Sequence, residues 1–228
     1  MDALSAIDGW GARTAVAGVT RAEAEVGVHG PRDAGLRWAS VTKLVTGLAI
    51  LVALEEGIVD LDEPAGPEGS TLRHLLAHAS GLPPEAGPPL APPGRWRIYS
   101  NIGIELAADL VAGHAGMPFA DYLHHALIEP LGFAGALHGS PAWGYRGPIG
   151  DLLALGRELL APTLVTRETL AEATTVQFPG LAGVLPSWGR MDPSDWGLTF
   201  ELRDAKSPHW TGSRNSPRTF GHFGAAGT

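Results

Sequence analysis

Residues 44–54, LVTGLAILVAL, are the longest apolar run of the chain, closed by Lys43 on one side and Glu55 on the other. The run is far shorter than the roughly twenty residues that span a bilayer. Leu44, Leu48, Leu51 and Val52 recur at helical spacing, and Gly57 is placed to stop the helix. The run therefore predicts a buried helix, and the rest of the chain has to be arranged around it.

With 228 residues, 44% apolar and 18% charged, the chain can bury a large core as one big domain or two interleaved ones. Ahead of the helix, residues 14–19, 23–28 and 36–39 have strand character and are separated by Gly, Pro and Asp, which suggests a small antiparallel meander. After it, helical periodicity covers residues 71–79, 102–113, 118–127 and 149–160. Six prolines and two glycines make residues 82–94 a long surface loop. Strand character returns only near residues 196–202 and 219–223. Strands first, helices next and strands last predict an α+β fold: an antiparallel sheet built from both chain ends, flanked by helices, with a mostly helical insertion. The expected organisation is a single domain over 1–228, with 1–58 and 195–228 as its α/β part and 59–194 as its mostly helical part. There is no internal repeat.

Sixteen Lys and Arg against twenty-four Asp and Glu leave a net charge of -8 with scattered basic residues, which excludes a nucleic-acid footprint. The absence of cysteine removes disulfides, thiolate nucleophiles and Cys-based zinc sites. Covalent catalysis is left to Ser, Thr, Lys, Tyr or a carboxylate. The N-terminus carries Asp2 and Asp8 with neither a basic leader nor an apolar core, so it does not read as a secretion signal, and a cytoplasmic protein is expected.

Ser40 and Lys43 form an S-x-x-K element at the start of the buried helix. Residues three apart share a helix face, so hydroxyl and ammonium can meet. A lysine buried against an apolar helix loses charge stabilisation and can accept a proton from a serine that is otherwise a poor nucleophile. Taken alone, a Ser at this place is more often an N-cap. Tyr99, Ser100 and Asn101 follow the proline-rich loop and open the next helix. A phenol there can relay a proton, and an amide can hold Lys43 and a substrate carbonyl. The bland alternative is a core tyrosine with Asn101 as a helix cap. Near the chain end, Gly221, His222, Phe223 and Gly224 read as strand, with His222 able to face the site. Gly224 allows close backbone approach, and the Ala225 N–H is a candidate oxyanion donor.

These three elements, in this order, resemble the signature motifs of the serine β-lactamase and penicillin-binding superfamily. The match is best with its class C and esterase branch, which has Tyr-x-Asn second and tolerates His-x-Gly third. LRHLLAHASGLP at 72–83, residues 93–103, the helix start at 118–122 and IEPLGF at 128–133 resemble the same branch, so the likeness runs from about residue 36 to the last residue. The resemblance implies a β-lactamase/transpeptidase-like fold and a serine hydrolase without cofactor or metal. Its substrate would be a small-molecule or peptide-like acyl compound: an ester, an amide or a β-lactam. In that reading Ser40 forms the acyl-enzyme, Lys43 and Tyr99 share proton transfer with the base unassigned, Asn101 orients, and His222 helps to bind an anionic or polar group. The Ser40 and Ala225 N–H groups would form the oxyanion hole. Relatives normally continue past the third element through further strands and a closing helix, so a C-terminal truncation is expected. The alternative from another class is a penicillin-recognising binding module without turnover, or an inactive homologue.

Other signals are set aside. His74 and His78 are four apart without a third metal ligand nearby, and the resemblance places them beneath the active-site loop. His124 and His125 point to different sides of their helix. The glycines of 221–227 lack the Lys-Ser/Thr of a phosphate loop. Trp188, Trp196 and Trp210, with Arg190 and Arg203, either line a cleft or pack the insertion, and packing is favoured.

Overall fold

A computed structural model describes residues 3–227; Asp2 and the terminal Thr228 lie outside them. At its centre stands α1 (Thr42–Glu55), buried on every face from Thr42 to Ala53. A helix with no polar face is stable only when fully enclosed. It ends as the sequence predicts: the Ile58 N–H reaches the Ala53 carbonyl at 2.9 Å, the Gly57 N–H reaches Leu54 at 3.1 Å, and Gly57 adopts φ +71°. That is a Schellman closure, which places a glycine without strain.

Ahead of α1, β1 (Ala17–Thr20) and β2 (Glu25–His29) form a hairpin, while β3 (Leu36–Arg37) leaves it. The expected three-stranded meander is not formed. Instead β3 pairs with β5 (Tyr145–Gly147), which also pairs with β4 (Ala136–Leu137). Trp38 explains the switch, since its ring packs 4.4 Å from that of Tyr145, its backbone N–H donates to the Tyr145 carbonyl at 3.1 Å and its indole N–H to the Gly147 carbonyl at 3.3 Å. A buried aromatic pair of this kind outweighs a weak local hairpin preference.

Around α1 lie α2 (Leu72–Leu76), α3 (Asn101–Ala115) and α4 (Phe119–Leu123). A widened helical turn, His124–Ile128, carries α4 into α5 (Glu129–Leu131), so the helix expected over 118–127 runs further than its periodicity shows. Pro130 has no N–H to donate and its ring crowds the preceding turn, which a widened turn accommodates. Helix α6 (Ile149–Leu160) matches expectation residue for residue and packs under β1.

The expectation that the middle of the chain lacks strands and a further helix is corrected by β4 and β5, by the hairpin of β6 (Gly183–Leu185) and β7 (Gly189–Met191), and by α7 (Arg167–Ala173). Toward the end, β8 (Glu201–Leu202) pairs with β9 (Phe220–Gly221). Among the described residues the β1–β2 and β8–β9 pairs are separate, so the architecture is α+β but no sheet joins the two ends. The 203–219 connection is held by Glu201, whose buried carboxylate accepts from Lys206 Nζ at 2.5 Å, and from His209 Nε2 and Trp210 Nε1 at 2.7 Å.

Gly47 lets α1 approach the 196–200 segment. A Cβ there would stand 1.9 Å from Thr199 Oγ1, and Thr199 is fully buried with its N–H bonded to Leu76. Gly47→Ala is therefore expected to destabilise by about 1–3 kcal/mol, because overpacking exceeds the helix-propensity gain. Urea unfolding measures it; a variant as stable as the parent would show that Thr199 yields freely.

Candidate active site

The β3 strand delivers the chain to Ala39, at φ +45°, and a tight turn over Ala39–Val41 that runs into α1. Ser40 sits in this turn, so the N-cap reading is corrected: Val41 precedes the first helical residue and no side chain caps the helix. A left-handed alanine is strained, and such strain concentrates at functional sites. One turn on, Lys43 is completely buried. Its Nζ lies 2.6 Å from Asn101 Oδ1, 2.9 Å from the Ala142 carbonyl and 3.4 Å from Ser40 Oγ. Burial lowers its pKa to about 7, against the opposing pull of the Glu105 and Glu85 carboxylates. As a neutral amine, Lys43 has two N–H donors for Asn101 and Ala142 and one lone pair left for the Ser40 hydroxyl.

Asn101 opens α3, but Ser100 is the cap: its hydroxyl accepts from the Gly103 N–H at 3.0 Å and donates to the Pro83 carbonyl at 2.7 Å. That frees Asn101, whose Nδ2 donates to Glu85 Oε1 at 2.8 Å. Tyr99 lies with Lys43 Nζ 4.7 Å from its ring centre. Burial raises its pKa well above the ordinary phenol value, and the adjacent Ser40 hydroxyl pulls it partway back. Its buried hydroxyl makes no hydrogen bond of standard geometry, and the Ser40 hydroxyl is the group beside it.

Beneath Tyr99 lie two residues that spacing does not assign to the site. His78 stacks 4.7 Å from Tyr99 and accepts the Ser100 N–H at 3.2 Å through Nδ1, and Trp196 packs edge-on against His78 at 4.8 Å. His74 turns away, bonding Thr71 Oγ1 at 2.9 Å, so the two histidines do not converge.

His222 comes within 5.9 Å of the Tyr99 ring and 5.6 Å of Trp196. It is not on a strand, since β9 stops at Gly221 and the His222 Nδ1 folds back on its own backbone, 2.7 Å from the Phe223 carbonyl oxygen and 2.9 Å from the Phe223 nitrogen. Burial, then the nearby Lys43 charge, lowers it to about 3, so it is a neutral dipole rather than a cation for anions. Gly224 accepts from Gly227 at 3.1 Å and Ala225 is exposed in that turn; no hydrogen bond among the described residues links either to Ser40. A cleft of about 630 Å³ opens beside Tyr99 and Asn101, between the proline-rich loop and the β6–β7 hairpin. That loop is pinned, with the Leu90 N–H on Gly81 at 2.8 Å and the Gly94 N–H on Ala79 at 2.7 Å. A Cβ on Gly81 would collide with the Ala91 carbonyl at 1.9 Å.

The family model described as Beta-lactamase matches residues 5–228. The chain belongs to that family. Its fold superposes on a β-lactamase from Mycobacterium bovis with a TM-score of 0.95 and 48% identity, covering 97% of this chain and 83% of that one. A D-stereospecific amidohydrolase from Streptomyces sp. shares the fold, with a TM-score of 0.69 at 22% identity over 87% of this chain and 81% of its own. In sequence, the D-alanyl-D-alanine-carboxypeptidase/endopeptidase AmpH of Escherichia coli is 29% identical over 137 residues, covering 44% of this chain. The match spans 36% of AmpH, about a third of its length. Proteins of this family are serine hydrolases, and the β-lactamase/transpeptidase fold and the membership expected from the motifs hold. Among the described residues no helix is long and apolar enough to cross a membrane.

Proposed function

We propose that the chain is a hydrolase that acylates Ser40 with an ester, amide or β-lactam carbonyl and releases the acyl group to water. The observation that carries this reading is the buried Lys43, lowered to about 7, its Nζ held by Asn101 Oδ1 and the Ala142 carbonyl and 3.4 Å from Ser40 Oγ. Lys43 takes the serine proton as Oγ attacks the carbonyl carbon. The tetrahedral oxyanion collapses, and the leaving group is protonated from Lys43 through the neutral Tyr99 hydroxyl. Tyr99 thus relays protons and Lys43 is the acylation base, because a phenol raised above its ordinary value is not ionised near neutral pH. In deacylation the same pair removes a proton from water. Asn101 fixes Lys43, and His222 offers a neutral ring nitrogen, Nε2, buried without a partner. The Ser40 and Ala225 N–H groups are assigned to the oxyanion by resemblance.

The test is to mix the protein with p-nitrophenyl acetate or a fluorescent penicillin, quench in acid, and locate the added mass. An adduct on the Ser40 peptide with continued product release supports the hydrolase. An adduct without release identifies a binding module, and a folded protein that gains no mass sinks both readings.

A further inference from the structure

Leu90, Trp96 and Val184 are large apolar side chains left exposed, at 64%, 41% and 62%, and all three line the cleft beside Tyr99 and Asn101. Exposed apolar groups that converge on a concavity next to reactive groups mark a place for an apolar part of a substrate. The charges of the cleft decide which apolar substrates fit. Arg97 is spent, since its guanidinium donates to the carbonyls of Ala77, Gln177, Phe178 and Ser194. Arg190 is engaged with the Asp192 carboxylate at 3.6 Å and lies over the Trp96 ring at 6.0 Å. Glu85 differs from both. It lines the cleft, and one carboxylate oxygen is held by Asn101 Nδ2 at 2.8 Å. The same Asn101 reaches Lys43 through its other amide atom at 2.6 Å. A negative charge is therefore fixed two hydrogen bonds from the base, at the exposed mouth of the apolar cleft.

We propose that Glu85 is a specificity-determining residue whose carboxylate, clamped by Asn101 at the mouth of the apolar cleft, admits uncharged apolar acyl groups and turns away acyl groups with an anionic terminus. This rests on Ser40 being the nucleophile. Two effects add: an apolar wall disfavours a carboxylate by desolvation, and Glu85 repels it. Only the second is removed by Glu85→Gln, which keeps an oxygen to accept from Asn101 at an exposed position, so the fold is expected to be kept.

The experiment compares p-nitrophenyl hexanoate with mono-p-nitrophenyl adipate, which has the same chain length but ends in a carboxylate, on the parent and on Glu85→Gln. Taking the ratio of kcat/KM cancels any effect of Glu85 on Lys43, since both esters use the same base. The parent is expected to prefer hexanoate, and Glu85→Gln to shrink that preference about three- to fivefold, the size of one close charge pair near a surface. Raising salt from about 20 mM to about 500 mM should shrink the preference of the parent but not that of the variant. A parent that prefers adipate, or a ratio unmoved by Glu85→Gln, overturns the proposal while leaving Ser40 in place. Absence of any Ser40-dependent ester cleavage overturns both.

Discussion

Ser40→Ala is expected to leave a folded protein that gains no mass from p-nitrophenyl acetate and whose turnover falls by at least about a thousandfold, or about 4 kcal/mol of transition-state stabilisation. The loss is large because the hydroxyl is the atom to which the acyl group bonds; Lys43, Tyr99 and Asn101 have nothing to deliver without it. The effect on stability is small, because the half-buried Ser40 side chain meets Lys43 at a long 3.4 Å and has only the Tyr99 hydroxyl beside it among the described residues. Urea unfolding should move by less than about 1 kcal/mol, the net worth of one weak hydrogen bond. Residues acting as one unit are not additive, so Ser40→Ala combined with a Lys43 substitution should be no slower than Ser40→Ala alone. A Ser40→Ala protein that still hydrolyses the ester at the parental rate would move the nucleophile elsewhere.

The residues that converge on Ser40 were legible where chemistry and local structure coincide. Ser40 and Lys43 straddle the start of an apolar helix, and Tyr99 and Asn101 the exit of a proline-rich loop into a helix, so spacing alone brought the members of each pair near one another. Joining the pairs needed the family resemblance, because Lys43 and Asn101 are 58 residues apart. The Ala142 carbonyl on Lys43, 99 residues away, carries no side-chain signal at all. Glu85 is one acidic residue in a loop where prolines draw the eye, and its role follows from the folding of that loop back onto α3. Trp196 stood among the packing residues, and it does pack, but directly beneath Tyr99.

The fold was legible to the extent that its elements are long. α1 and α6 announce themselves by periodicity and by their stops. The short strands do not: β5 alternates buried Tyr145, exposed Arg146 and buried Gly147, one period too few to recognise. α7 carried a readable start, with Thr166 accepting the Thr169 N–H at 3.1 Å and Glu168 in its first turn, but seven residues are too few for an apolar stripe. Reading residues 219–223 as strand ran one residue ahead of β9 and two past it, because apolar and aromatic content does not show that the His222 ring folds back onto the Phe223 backbone.

Lys43→Met is expected to abolish turnover and at the same time to stabilise the fold at low pH. A lysine brought from 10.5 to about 7 by burial is held in the folded state against its preference for the charged form. The unfolded chain binds that proton up to about pH 10.5 and the folded chain only up to about 7, so between these values the unfolded state holds more protons and stability rises with pH. Below pH 7 the penalty is complete, on the order of 4–5 kcal/mol. Methionine has a similar reach and no charge, but it leaves the buried Ala142 carbonyl without its donor, at about 1–3 kcal/mol. The net gain should be about 2 kcal/mol near pH 6, shrinking to nothing or reversing by about pH 10. Urea midpoints across that range measure it; parallel pH curves for parent and variant would show that Lys43 is charged in the folded protein. The activity follows the same titration, because only the neutral amine can take the Ser40 proton. In the parent, kcat/KM should climb with pH through about 7, while Lys43→Met, with no base beside Ser40, should lose at least about a thousandfold at every pH. One side chain then accounts for both curves, and a site that costs the fold stability near neutral pH does so because the proton has to be able to leave.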